Sequence, residues 1–179
     1  MKQIVVNAAC VLSLVFMAIA YSPNCATAQE QVSPSEPAQK PGSAWIVNCS
    51  TGGTGADLQC QMSQNLTESK SGQRVLTVTV RKETKDSGLA MLFVLPHGLF
   101  IPAGATFQID QGEKKQVAIQ TSDQNGAYAA TPLTSDLLAA LKAGTTLNVG
   151  MESVTRKPVT IPVTLAGFTA AADKLATVQ

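Results

Sequence analysis

Residues 45–62 read WIVNCSTGGTGADLQCQM, and this stretch decides the fold. Trp45, Val47 and Cys49 alternate with other residues and share one face of a strand. Leu58, Cys60 and Met62 share one face of a second strand, with Gln59 and Gln61 on the other. Gly52-Gly53-Thr54-Gly55 supplies the turn between them. A hairpin in this register sets Cys49 across from Cys60, with both sulfurs on the apolar face. Metal binding is the rival reading of the pair, but two thiols without companion ligands make a poor zinc site. The expectation is a disulfide between Cys49 and Cys60.

The same period of two runs outward from the hairpin. Leu76, Val78 and Val80 alternate with Thr77 and Thr79, and residues 89–95 are apolar on both faces, as in a central covered strand. Phe107 and Ile109, then Val117 and Ile119, alternate with polar partners around a turn at Gln111-Gly112. Leu147, Val149 and Met151 follow, then Val159, Ile161, Val163 and Leu165. Pro162 inside that last run predicts an edge strand or a bulge. Two helices suggest themselves: residues 135–142, capped by Thr134 or Ser135 and stopped by Gly144, and the short Ala-rich segment 168–175. Many short strands with turns at close intervals argue a sandwich or barrel. The expected fold is an all-β antiparallel β-sandwich, Greek-key or jelly-roll-like, with one or two short helices.

Before the hairpin the chain changes character twice. Met1-Lys2 opens with a positive charge, residues 4–19 form an apolar run, and Ala26-Thr27-Ala28 gives a small-x-small cleavage pattern. This reads as a signal peptide, residues 1–28, cleaved after Ala28. A membrane anchor is the alternative, but the run is shorter than the roughly 20 apolar residues a spanning helix needs. Pro34, Pro37 and Pro41 among Gln, Ser and Glu make residues 29–44 a flexible leader, with the folded domain spanning 45–179. Cleavage would remove Lys2, leaving 12 basic against 12 acidic residues. A balanced chain has no electrostatic reason to seek nucleic acid or an anionic membrane. Cleavage also takes Cys10 and Cys25 from the 4 cysteines. A lipoprotein would need Cys25 as the acylated residue, and Ser22-Pro23-Asn24 lacks the Leu and small residues expected before it. Export suits a disulfide, because bridges persist outside the cytosol.

Candidate chemistry is thin. His97 is the lone histidine and the obvious general base, but Pro96 and Gly98 on either side make it a turn residue. No Gly-x-Ser-x-Gly elbow occurs. Thr51-Gly52-Gly53-Thr54-Gly55 lacks the Gly-Lys-Ser/Thr ending of a phosphate loop, so the hairpin reading stands. Asp110 with Asp57, Asp123 or Glu113 could offer oxygen ligands to calcium, but their spacing matches no known loop, and Asp110 before Gln111-Gly112 is a turn former. Arg81, Lys82 and Lys85, and Lys114-Lys115, read as solvated strand ends beside Glu83, Asp86 and Glu113. Asn48-Cys49-Ser50 and Asn65-Leu66-Thr67 match a glycosylation sequon, a pattern too short to carry weight by itself.

One ordered set of residues resembles a known family. It comprises Trp45-x-Val47-x-Cys49, Cys60, Leu95-Pro96-His97-Gly98-Leu99-Phe100-Ile101-Pro102-Ala103-Gly104 and Gln108-Ile109-Asp110. Leu141-Lys142-Ala143-Gly144 and Leu165-Ala166-Gly167-Phe168 complete it. Together these resemble the invasion-associated locus B (IalB) family across residues 45–175. The resemblance implies a secreted or periplasmic cell-envelope protein of an alphaproteobacterium with a β-sandwich fold, named for host-cell invasion and virulence in pathogenic members. It implies no established reaction, no cofactor and no catalytic residue. Family members commonly carry a second cysteine pair where this chain has Ser122 and Ala127. Losing both together fits a structural bridge. Cys49–Cys60 is then expected as the single bridge, and the Ser122–Ala127 turn as looser than in relatives.

Two classes of function follow. The first is a non-enzymatic envelope or secreted protein that binds an envelope or host-surface protein, with Leu99, Phe100 and Ile101 as the interaction surface. The bland reading of those three residues is a strand buried in the core. The second class is a glycan- or small-ligand-binding sandwich, or a hydrolase whose site is assembled only in the fold. It calls for a concave pocket lined by aromatics, and Trp45, the sole tryptophan, reads as core.

Overall fold

Alternating apolar residues bury one face of a strand, and the described residues form ten strands in two antiparallel sheets whose central strands bury their apolar faces against one another. The structure is a computed structural model that describes residues 44–51, 58–83 and 88–178. All of them belong to one compact unit, Gln39–Gln179. The expected signal peptide, the expected leader up to Ser43 and the expected turn at Gly52–Gly55 lie outside the described residues.

The larger sheet begins as a meander: β1 (Ile46–Thr51), β2 (Leu58–Thr67), β3 (Arg74–Lys82) and β4 (Leu89–Leu95). The smaller sheet holds β5 (Ala105–Ile109), β6 (Lys115–Val117), β9 (Thr146–Glu152) and β10 (Pro158–Thr164). Between these come β7 (Ile119–Asp123) and β8 (Gly126–Leu133), which return to the larger sheet. The strand orders are β1-β2-β3-β4-β8-β7 and β10-β9-β5-β6.

Register puts the apolar sets of the two sheets on facing surfaces. Met62 opposes Val80, Val80 opposes Met91, Val78 opposes Phe93, and Phe93 opposes Ala129. Across the gap Phe107 opposes Val149, and Ala105 opposes Met151. All of these are buried. Phe93 and Phe107 stack with ring centroids 5.8 Å apart, joining the sheets at the centre of the core. Such a pair adds about 0.5–1.5 kcal/mol beyond its buried area.

Helix α1 (Ser135–Ala143) starts where Thr134 accepts a bond from the Leu137 N–H at 3.3 Å, and buries Leu137 and Leu141 one turn apart. It stops at Gly144, whose N–H bonds to the Ala140 carbonyl. Helix α2 (Phe168–Thr177) buries Phe168, Ala171 and Leu175 and contacts β1, β2 and α1. Trp45 is core: its ring meets Phe168 edge-on at 5.0 Å, and its Nε1 donates to the Thr164 carbonyl at 3.0 Å. The start of β1 is thereby fastened to the end of β10.

Three local readings change. Val117 and Ile119 belong to different strands in different sheets, because the chain crosses the sandwich at Ala118. Strand β8 escaped the alternation pattern, since Ala127, Ala129 and Ala130 carry little apolar signal and Pro132 argues against a strand. Residues 99–101 are not a buried core strand but the entry to a 3-10 turn, Ile101–Ala103. Pro162 does lie in an edge strand, β10.

Candidate interaction surface

Residues 96–104 carry the chain from the end of β4 in one sheet to the start of β5 in the other, and this corner holds the proposed surface residues. Gly98 takes φ +77°, a conformation open to glycine but strained for other residues, and redirects the chain. Gly98–Phe100 then docks antiparallel against Glu152–Val154 past the end of β9. Phe100 N–H donates to the Glu152 carbonyl, and Val154 N–H to the Gly98 carbonyl, each at 2.9 Å; Leu99 bridges Ser153. Leu99 is partly buried against the core. Phe100 is half-buried, with the Arg156 guanidinium 4.0 Å above its ring. Glu152 accepts from Arg156 Nε at 2.9 Å and holds it there. Ile101 is 43 % exposed and Val154, on the docked turn, 63 %. The three residues therefore divide their roles: Leu99 anchors, Phe100 supports a cation, and Ile101 faces solvent.

His97 is exposed, and its Nε2 lies 3.2 Å from the Gln124 carbonyl oxygen. A carbonyl only accepts, so Nε2 carries the proton and acts as a donor to backbone. That bond is one of several on the β7–β8 turn. Asp123 accepts from the Asn125 N–H at 2.7 Å and from the Tyr128 hydroxyl at 3.0 Å, and Arg74 donates to the Asn125 carbonyl. The Asn125 N–H, foremost, holds the Asp123 carboxyl below its usual 3.8. Burial, then the neighbouring Asp123 carboxylate, pushes the Tyr128 phenol above its usual 10.0. Ser122 and Ala127 are direct cross-strand partners in this hairpin. Polar bonds tie this turn where a bridge is absent.

Asp110 is occupied structurally. At φ +48° it turns its carboxylate onto the N–H groups of Thr145 and Thr146, at 3.0 and 2.9 Å, fastening β5 to the entry of β9. Glu113 and Asp123 sit on separate turns, and Asp57 lies outside the described residues. Among the described residues no three His, Cys, Asp or Glu side chains converge as a metal set. Arg81, Lys82, Lys114 and Lys115 are all exposed, and Lys85 lies outside the described residues.

The disulfide joins Cys49 and Cys60, direct cross-strand partners with Cα atoms 4.0 Å apart. The two cysteines share a face but not an environment. Cys60 is buried beneath the end of α2, with its sulfur 3.6 Å from the Val178 carbonyl oxygen, whereas Cys49 is exposed. That contact is no hydrogen bond, because a bridged sulfur has no proton to donate.

With this geometry in place, comparison is decisive. The family model for Invasion associated locus B (IalB) protein matches residues 45–176. This chain belongs to that family. Two relatives, invasion protein B homologs of Brucella abortus strain 2308 and of biovar 1 strain 9-941, are each 30 % identical over 132 residues. The match covers 73 % of this chain and 75 % of theirs. The crystal structure of invasion associated protein B from Bartonella henselae shares the fold. Its TM-score is 0.69 at 22 % identity, covering 78 % of this chain and 95 % of that one.

The IalB residues quoted above now have physical roles. Gly98 and Gly104 set the corner, and Gly104 admits no side chain: a Cβ there would lie 2.7 Å from the Val117 carbonyl oxygen. Asp110 ties two strands, and Gly144 stops α1 against Ile109 and Leu165. The exposed apolar Val154 and the Arg156–Phe100 contact were missed in sequence, where isolated residues on the β9–β10 turn give no signal. Asn125-Gly126 is a hairpin signature that could have located β8.

Proposed function

We propose that this IalB-family chain is exported and acts without catalysis, by binding an envelope or host-surface protein at the corner formed by residues 98–104 and 152–156. The observation that carries the reading is that Ile101 and Val154 present apolar side chains to solvent on backbone fixed by hydrogen bonds and a bridge. Apolar groups held rigidly outward lose little entropy on binding and gain burial. The signal-like residues 1–28 support export, as does a disulfide, which persists in oxidising compartments. No helix among the described residues is long and apolar enough to cross a membrane. The names of the relatives, which speak of invasion, favour a partner on an envelope or host surface.

Two measurements test this. Protein recovered from cells should begin at Gln29 and fractionate with the envelope or the medium. A photo-crosslinking residue at Ile101 or Val154 should trap one defined protein in intact cells, whereas one at Thr160, on the exposed edge strand β10, should not. Equal trapping at all three positions refutes the surface, and an intact amino terminus in the cytosol refutes export.

A further inference from the structure

A β-strand at a sheet edge leaves every second residue's N–H and C=O unpaired, and proteins ordinarily protect such edges with charge, proline, bulges or shortness. Three of the four edges here follow that rule. Strand β10 carries Pro158 and Pro162, β6 has 3 residues including Lys115, and β7 has a register shift and ends on Asp123. Strand β1 does not. It is 6 residues long, IVNCST, with no charge, no proline and an unbroken register against β2. Among the described residues nothing pairs with its outer edge, and five of its six residues are exposed.

The register of β1 says which groups point outward. In antiparallel pairs, residues exchanging hydrogen bonds have Cα atoms about 5.5 Å apart and non-bonded pairs about 4.5 Å. Cys49 and Cys60, at 4.0 Å, are the non-bonded kind. The backbone N–H and C=O of Cys49 therefore face away from β2, and alternation gives Val47 and Thr51 the same direction. Three outward residues centred on Cys49 make the strand its own complement. About a two-fold axis, Cys49 exchanges both bonds with Cys49 of the second copy, and Val47 and Thr51 pair reciprocally. All the outward groups of those residues are then satisfied. Asn48 falls opposite Ser50 of the second copy, and no like charges meet.

We infer that this chain associates through β1 with β1 of a second copy, in an antiparallel register centred on Cys49, joining the two larger sheets into one. An extended foreign segment could satisfy the same groups, but it would have to be ordered on binding, whereas the disulfide already holds β1 in place. The inference is independent of the corner surface. A monomer whose Ile101 still traps a partner overturns this inference alone.

The test is sedimentation equilibrium of the exported protein, wild type and N48K/S50K, over a wide concentration range. Both positions are exposed on the outer face, and thermal unfolding checks that the variant remains folded. Wild type should show a reversible monomer–dimer equilibrium, weakened by about 2- to 30-fold by the two pairs of opposed lysines. In the C60S variant the free Cys49 thiol lies on the axis, at a Cα separation of about 5.5 Å that a disulfide spans. Air oxidation should then give a covalent dimer linked through Cys49. A wild type monomeric throughout, a dimer indifferent to N48K/S50K, or a C60S variant that stays uncrosslinked overturns the inference.

Discussion

Replacing both bridging cysteines, C49A/C60A, should lower the melting temperature by about 10 °C. The bridge spans a sequence separation of 11 residues. On the chain-entropy model a loop of that size removes about 9 cal/mol/K from the unfolded ensemble, or about 3 kcal/mol at 25 °C. A domain of this size loses about 3–4 °C per kcal/mol, hence the figure. The assay is thermal unfolding followed by fluorescence of Trp45, the sole tryptophan, which sits at the start of the bridged hairpin against Phe168. Reduction of wild type with a thiol should give the same midpoint, because it removes the same constraint. A double variant within about 2 °C of the oxidised protein would refute the reasoning. It would mean that Trp45, through Phe168 and the Thr164 carbonyl, fixes β1 without help from the bridge.

Other expectations are as direct. Gly104→Ala should cost about 2 kcal/mol or more in denaturant unfolding, since it combines φ +68° with a Cβ 2.7 Å from the Val117 carbonyl oxygen. Asp110→Ala should cost about 1.5–3 kcal/mol, measured likewise, by orphaning the Thr145 and Thr146 N–H groups. Asp123 is depressed in the fold, so its contribution is complete above the usual 3.8 and is lost as pH falls through its lower folded value. NMR should find its carboxyl titrating below 3.8, and Tyr128→Phe should move it part of the way back. The raised Tyr128 phenol works in the opposite sense: its contribution is complete below 10.0 and is lost as pH rises through the folded value. Ultraviolet titration of the phenolate, repeated with Asp123→Asn, reads that shift. S122C/A127C joins direct cross-strand partners and should add about 2 kcal/mol, seen as a higher melting temperature that a reductant abolishes.

Where side chains alternate strongly, sequence sufficed. The β1–β2 hairpin, the disulfide, β3, β4, both helices and the edge position of β10 were all legible, because each rests on local periodicity or a cap. The failures share a cause: the deciding partner is distant in sequence. Val117 and Ile119 look like one strand until the sheets are known, and β8 becomes a strand through β4, which covers its Ala-rich length. The geometry of the proposed surface was only partly legible. Residues 99–101 are apolar enough to draw notice, but Leu99 turns inward only because Ser153 lies beside it, and Phe100 is capped only because Arg156 reaches over it. No spacing rule links residue 100 to residue 156.

Topology explains why side chains at this corner are left facing solvent. Strand β4 ends in the larger sheet at Leu95, and β5 begins in the smaller at Ala105. The chain must cross the mouth of the sandwich between them, and a crossing chain cannot bury every side chain. Gly98 and Gly104, both at positive φ, fix the two bends, so the intervening residues have little freedom in where they point. Leu99 takes the inward position. Ile101 opens the 3-10 turn and is left outside, its carbonyl accepting from the Gly104 N–H while the preceding Gly98 and Phe100 bond to the β9–β10 turn. A solvent-facing loop could fill the Ile101 position with a polar residue at no cost to the crossing. The apolar side chain is therefore not required by the fold, which supports the recognition role proposed for it.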